Sequence, residues 1–194
     1  MMLKKTHGLT LPLLRAVLTA LPLLITQPGF AMPDTPSVPA PASVRVGFSP
    51  EGSATQLVLD TINNARYSIR MMAYSFTDPD VMKALGQAKK RGVDVRIVVD
   101  YKGNTHRASQ EAMKYITMLD IPLRTVDVFS IAHDKVIISD ENTVETGSYN
   151  YSRAAARKNS ENVIVLQNMP DIAALYLAHW QDRWDRGTDW QPGK

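Results

Sequence analysis

Cysteine is absent from the 194-residue chain, which removes disulfide frameworks, thiolate metal sites and cysteine nucleophiles together. It also removes lipid attachment at a mature amino-terminal Cys. The absence leaves the compartment open, since a chain without thiols suits reducing and oxidising surroundings alike. A repeat of solenoid length is lacking as well. The apolar stretch from Leu9 to Ile25 is interrupted by Pro12, Arg15 and Pro22, so it falls short of the run of about 20 apolar residues that a spanning helix needs. Finally, the mature chain lacks an excess of charge. The whole sequence carries 22 Lys+Arg against 19 Asp+Glu, a formal +3, but Lys4, Lys5 and Arg15 lie in a leader without acids, leaving 19 bases and 19 acids downstream of residue 31. Attraction for an anionic partner must therefore come from local clusters and not from bulk charge.

Lys4 and Lys5, the apolar stretch, and the small residues Gly29 and Ala31 two apart predict a secretory signal peptide over residues 1–31, cleaved after Ala31. The mature product is then periplasmic or secreted, without stable membrane association; a leader retained as an anchor is the alternative. Residues 32–42 hold Pro33, Pro36, Pro39 and Pro41, too dense for helix or central strand, and read as an extended linker. The remaining 43–194 have the length of one domain, and the full sequence, with 44% hydrophobic and 21% charged residues, has a globular composition.

Within that domain, apolar stretches of strand length alternate with helical periodicity. Strands are expected at 43–49, 68–75, 94–101, 122–129, 135–139, 142–147 and 161–168, several of them apolar on consecutive positions, as in a sheet covered on both faces. One helical face each is formed by Ala54, Leu57, Val58, Ile62 and Ala65; by Val81, Leu85 and Ala88; by Ala112, Tyr115, Ile116 and Leu119; and by Ile172, Leu175, Tyr176 and Trp180. The pattern predicts an α/β domain with a mixed, mostly parallel β-sheet flanked by helices on both faces. Lys89, Lys90 and Arg91 before Gly92 read as the cationic end and left-handed cap of a helix, and Trp180, Trp184 and Trp190 as packing anchors.

The chemistry concentrates between Ala132 and Asn162. In HDKVIISD, His133 and Lys135 are two apart, so on a strand their side chains share one face and Asp134 points away. After Asp140 comes GSYN: Gly147 permits close backbone approach, and Ser148 and Asn150, again two apart, offer a hydroxyl and an amide. Glu161 opens the next strand. An imidazole, a fixed cation, two neutral hydrogen-bonding groups and a carboxylate are the parts required to attack an anionic phosphoryl centre.

This spacing, HxKxxxxD followed by six residues and GSxN, resembles the phospholipase D superfamily signature at His133, Lys135, Asp140, Gly147, Ser148 and Asn150. The resemblance extends over residues 43–190. In length, with one motif copy and a downstream NSEN, the chain looks most like the small secreted or plasmid-encoded bacterial endonucleases of that superfamily. The resemblance implies that His133 is the nucleophile, forming a phosphohistidine, and that Lys135, Ser148 and Asn150 hold the non-bridging phosphate oxygens. Glu161 matches the carboxylate that hydrogen-bonds the imidazole, and Asp140 matches the motif Asp, read as structural support. Ser139, where an aliphatic residue is common, and Tyr149, at the variable position, are small departures.

The superfamily mechanism needs a second His to protonate the leaving oxygen, and neither His106 nor His179 is followed by a Lys two residues on. A symmetric homodimer with two copies of His133 in one shared site is therefore expected. Neither cofactor nor metal is expected, because His pairs at ligand spacing and a carboxylate triad are missing from the sequence. The substrate expected is DNA, with RNA as a second polymer. Lys102, Arg107, Arg153, Arg157 and Lys158 are candidates for tracking its backbone. A phospholipase D or cardiolipin hydrolase, with Val128, Phe129 and Ile131 as an apolar lip, is the alternative enzyme. A catalytically inactive nucleic-acid-binding module is the non-enzymatic reading, disfavoured by the complete set of site residues.

Overall fold

The computed structural model describes residues 40–193; the leader at 1–31 and the linker up to residue 39 lie outside the described residues. The chain forms β1 (Ser43–Ser49), α1 (Ser53–Asn64), β2 (Ser68–Ala73), α2 (Pro79–Lys90), β3 (Asp94–Asp100), a 3-10 turn (Lys102–Asn104), α3 (Arg107–Thr117), β4 (Leu123–Val126), β5 (Lys135–Ser139), β6 (Thr143–Gly147), α4 (Arg153–Arg157), β7 (Glu161–Gln167), α5 (Pro170–Arg186) and β8 (Thr188–Asp189). Among the described residues no helix is long and apolar enough to cross a membrane.

The strands join in one mixed eight-stranded sheet, ordered β1-β7-β6-β5-β2-β3-β4-β8. Only β2 with β3 and β3 with β4 are parallel; the other pairings are antiparallel, which corrects the expected parallel majority. The helical crossovers α2 and α3 produce the parallel pairs, as long connections do. After β4 the chain returns along the irregular segment 127–134 to the middle of the sheet. There β5 enters antiparallel to β2, and a tight hairpin follows. Ser139 pairs with Thr143 across a three-residue loop, 140–142, in which Asp140 (φ 53°) and Glu141 (φ 58°) both take left-handed conformations.

Helices cover both faces. On one, α1 to α3 bury Leu57, Val58, Ile62, Leu85 and Ile116 against Ile69, Met71, Ile97, Ile137 and Val165. On the other, α5 lays Ala173 and Trp180, with Tyr176, Leu177 and Trp184 beside them, over Met72, Val98, Val136, Ile138 and Val144. The expected inner face of α5 is thus partly wrong. Ile172 and Leu175 are exposed, because the stripe that meets the sheet runs through 173, 176, 177, 180 and 184, a quarter turn away. Tyr115 on α3 is also exposed. The tryptophans anchor as expected: Trp180 Nε1 donates to the Met71 carbonyl (3.1 Å), and its ring stacks on Trp184 at 5.1 Å. Arg91 and Gly92 (φ 91°) close α2, the Arg91 guanidinium donating to the carbonyls of Ile62 and Ala65.

One feature of the core is costly. Glu145 on β6 is wholly buried. Its Oε2 accepts from the Tyr151 hydroxyl at 2.9 Å, while Oε1 has no partner among the described residues. Burial pushes its carboxyl up to about 8, against an ordinary value of 4.5, so the folded protein keeps a proton that the unfolded chain releases. Stability contributed by this group is complete below the unfolded value and declines as pH rises toward 8. Glu145→Gln removes that dependence: thermal unfolding followed from pH 5 to pH 8 should show a flatter profile for the variant and a higher Tm than wild type at pH 8.

Candidate active site

The antiparallel insertion of β5 gathers the motif at one end of the sheet. The first residue of β5, Lys135, pairs with the last residue of β2, Ala73. Across β5, Val136 pairs with Thr146 near the end of β6, and Gly147 pairs with Val163 near the start of β7. Consequently Lys135, Gly147, Ser148, Asn150 and Glu161 belong to neighbouring strand ends, although 26 positions separate the first from the last.

His133 is not on a strand, contrary to expectation. It lies in the extended approach to β5 and is exposed, whereas Lys135 is buried. The Lys135 ammonium donates to the His133 carbonyl at 2.9 Å, so the cation braces the backbone that carries the imidazole. Burial pushes the Lys135 ammonium down, opposed by the carboxylates of Asp134 and Glu161. Asp134 faces the other side and meets the His179 ring of α5 at 3.2 Å.

Ser148 and Glu161 form a direct pair. The Ser148 hydroxyl donates to Glu161 Oε2 at 2.6 Å and accepts from the Asn162 backbone N–H at 3.1 Å. The other Glu161 oxygen accepts from Asn159 Nδ2 at 2.9 Å. Within one chain the Glu161 carboxylate is thus directed to Ser148 and Asn159, and no hydrogen bond joins it to His133 among the described residues. Asn150 is half-buried, and its Oδ1 is buried without a partner among the described residues. Gly147 is dictated by packing: a Cβ there would collide with the Asn162 carbonyl, so any larger residue would force β6 and β7 apart just before Ser148.

Asp140 sits at the opposite end of β5. Its carboxylate accepts from the backbone N–H groups of Arg66 (2.9 Å), Tyr67 (2.7 Å) and Ser68 (3.0 Å), and its own N–H donates to the Ser68 carbonyl (2.9 Å). It takes no part at the His133 end.

Four neighbours of the site lie outside the HxK and GSxN positions. Tyr74 lies with its ring centroid 4.6 Å from that of His133. Asp100, buried at the end of β3, accepts from the Ala132 N–H at 2.8 Å. Asn159 orients Glu161, and His179 holds Asp134. Tyr74 and Asp100 end the strands β2 and β3, and the carboxyl ends of parallel strands are where α/β sites form; that position was the available signal. Asn159 opens the NSEN segment, whereas His179 had no signal.

A mixed α/β sheet presenting a histidine, a lysine, a Ser–Asn pair and a glutamate at one end, with the motif Asp locking the far end, defines a phosphodiesterase of the phospholipase D superfamily. The family model described as cardiolipin synthase, PLD-like domain, matches residues 58–184, and the chain belongs to this family. It is 35% identical over 166 residues to a phospholipase D of Rickettsia typhi, covering 82% of this chain and 80% of that protein. It is 26% identical over 162 residues to the mitochondrial cardiolipin hydrolase of Canis lupus familiaris, covering 84% of this chain and 61% of that protein. Among solved structures it is similar to Nuc of Salmonella typhimurium, a phospholipase D family member, at 62% identity and a TM-score of 0.77, covering 78% of this chain and 99% of that one. NucT from Helicobacter pylori shares the fold at 22% identity, with a TM-score of 0.68 over 77% of this chain and all of that one.

The geometry separates support from chemistry within the motif. Asp140→Ala removes the acceptor of three backbone N–H groups and places Ala at a positive φ. It should destabilise the protein by about 2 to 4 kcal/mol in urea unfolding, while molecules still folded at low temperature keep kcat within about threefold of wild type. A loss of kcat comparable to that of a His133 variant would instead give Asp140 a direct role.

Proposed function

We propose that the protein is an endonuclease that hydrolyses DNA, with RNA as a second substrate, through a phosphohistidine on His133 in a site shared by two copies of the chain. The observation that carries the choice of a polymeric phosphodiester is an exposed His133 imidazole together with exposed cations on the segments that continue from the site's strand ends: Lys102 and Arg107 after β3, and Arg153, Arg157 and Lys158 after GSYN. None of these five is in an ion pair with a described carboxylate, so all remain available to backbone phosphates. Arg153 and Arg157 lie on α4, immediately after the GSYN segment.

In this reading the neutral His133 imidazole attacks phosphorus, forming a P–N bond as the P–O bond to the leaving alkoxide breaks. Lys135, Ser148 and Asn150 hold the non-bridging oxygens as charge builds on them. A second imidazole, protonated, gives its proton to the leaving oxygen; then, neutral, it takes a proton from the water that hydrolyses the phosphohistidine. The other described histidines are otherwise engaged. His106 caps α3 by accepting from the Ser109 N–H at 3.3 Å, and His179 is held by Asp134. The second imidazole is therefore the partner's His133. The same arrangement gives Glu161 an imidazole to orient across the two-fold axis. An apolar strip suited to a second copy lies close by: Val44, Val46 and Phe48 of the edge strand β1 are exposed on one face, and Phe48 pairs with Asn162 beside Glu161.

Independence of divalent metal is part of the same proposal. We further propose that the leader directs the protein to the periplasm or the exterior. Lipid phosphodiesters are the second reading, favoured by the exposed Val128 and Ile131 in the segment leading to His133.

The deciding experiment incubates the purified protein with DNA and with cardiolipin vesicles in parallel, in EDTA. DNA is expected to be cut without added metal, more weakly as salt rises. His133→Ala should lose at least about 10² to 10⁴ of the rate, and dimers with one wild-type subunit should be nearly inactive. Cleavage of lipid alone would overturn the nuclease reading. Half activity in purified mixed dimers would overturn the shared site.

A further inference from the structure

The His133 side chain makes no hydrogen bond within the described residues. An exposed histidine free about χ1 and χ2 samples several rotamers, whereas in-line attack on phosphorus requires one. What the imidazole does touch is Tyr74, at 4.6 Å between centroids and 60° between planes. The same tyrosine ring lies 5.3 Å from the Lys135 ammonium, so a single aromatic side chain borders both the imidazole and the phosphate-binding cation.

Tyr74 is itself mounted with little freedom. Its carbonyl accepts from Asn104 Nδ2 at 2.7 Å, and the same amide nitrogen donates to the Asp100 carbonyl at 2.8 Å, stitching the end of β2 to the end of β3. Its ring lies over Gly103, where a Cβ would come within 2.9 Å of Tyr74 Cε2 and 3.2 Å of Asp100 Oδ2. Gly103 is not at positive φ; the glycine is there for room. Asp100, almost fully buried, completes the mount. Its Oδ2 accepts from the Gly103 N–H at 2.6 Å, and its Oδ1 accepts from the Ala132 N–H at 2.8 Å. One carboxylate thus ties the turn beneath Tyr74 to the residue preceding His133, and both sides of the Tyr74–His133 contact refer to the same anchor.

We propose that Tyr74 is a positioning residue: its ring, set by Gly103 and Asp100, fixes the His133 imidazole and the Lys135 ammonium in the relative orientation needed for attack on the phosphodiester. The aromatic face is the working part. A ring face attracts both the ammonium and an imidazolium, and its bulk removes rotamers that would swing the imidazole away. The inference rests on the reading of His133 as nucleophile, and the test keeps the two apart.

Tyr74→Leu, Tyr74→Phe, Gly103→Ala, the Tyr74→Leu/Gly103→Ala double variant and His133→Ala are compared on a chromogenic phosphodiester and on DNA. The Leu variant should lower kcat by about 10- to 100-fold with KM nearly unchanged, and Phe should restore the rate. Gly103→Ala, which pushes the tyrosine ring, should lower kcat in the wild-type background but add little to Tyr74→Leu, as coupled positions do. Independently of turnover, the His133 ring protons should show an aromatic ring-current shift in NMR spectra that is lost in the Leu variant and kept in the Phe variant. Inactive His133→Ala together with a Leu variant of unchanged kcat, multiplying losses in the double variant, or a His133 ring-current shift indifferent to Tyr74 would each overturn the positioning role. Activity surviving in His133→Ala would instead overturn the nucleophile assignment.

Discussion

The register of β5 against β2 is the constraint on which the site depends. Side chains alternate across a strand, so a slip of one residue would turn Lys135 to the α5 face and Val136 to the substrate end. The Asp140 carboxylate prevents that slip by holding the three backbone N–H groups that lead into β2. With Asp140 fixed opposite Ser68, Ser139 falls on Ile69 and Lys135 on Ala73. The residue that follows β2 is Tyr74 and the residue two before Lys135 is His133, so the lock at the far end determines which groups meet at the near end. The spacing of the motif Asp from the Lys is therefore a strand length.

From that registration the electrostatics follow. Lys135 is buried yet keeps a hydrogen bond to the His133 carbonyl and faces the Tyr74 ring, so its charge is held and not solvated. An ammonium already stripped of water and fixed in place has little reorganisation left when negative charge develops on a phosphoryl oxygen, which is the condition under which electrostatic stabilisation is strongest. Glu161 and Ser148 share a short hydrogen bond beside it, and the amide oxygen of Asn150 is buried without a partner among the described residues. The core repeats the theme at a cost: Glu145 is kept neutral by the same dryness, two residues before Gly147.

Most of the layout was legible in the sequence because it is set by local pattern. Seven of the expected stretches contain β1 to β7, and the helices α1 and α2 bury the residues their periodicity indicated. Nonlocal choices were not legible. The βαβ alternation correctly implies parallel β2, β3 and β4, but nothing in residues 127–134 says that the chain will re-enter the sheet beside β2 in the opposite direction. That re-entry converts the remaining pairings to antiparallel. The spacing of His133 and Lys135 suggests one strand face for both, yet the ladder starts only at Lys135, the first residue of the expected stretch 135–139, where a partner on β2 exists. The three-residue hairpin loop 140–142 lacks a glycine at its left-handed positions, since Asp140 is stabilised in that conformation by the contacts of its own carboxylate. Ile172 and Leu175 match a helical period but not the stripe that faces the sheet, and Thr188–Asp189 is too short to announce a strand.

The residues on which the site leans from outside the motif, Tyr74 and Asp100, share a physical reason for escaping a motif search. A nucleophile and its phosphate ligands must have particular functional groups at particular spacings, so they leave a pattern along one stretch of chain. A positioning group needs only a shape and an anchor, and these come from whichever strand ends the sheet order places next to the nucleophile. In this fold the antiparallel entry of β5 puts β2 beside it, and the parallel partner β3 lies one strand further. Their terminal residues accordingly supply the aromatic ring that touches His133 and the carboxylate that ties Ala132 in place. In the proposed reaction the single motif specifies the reacting groups, while the sheet order selects the residues that hold them.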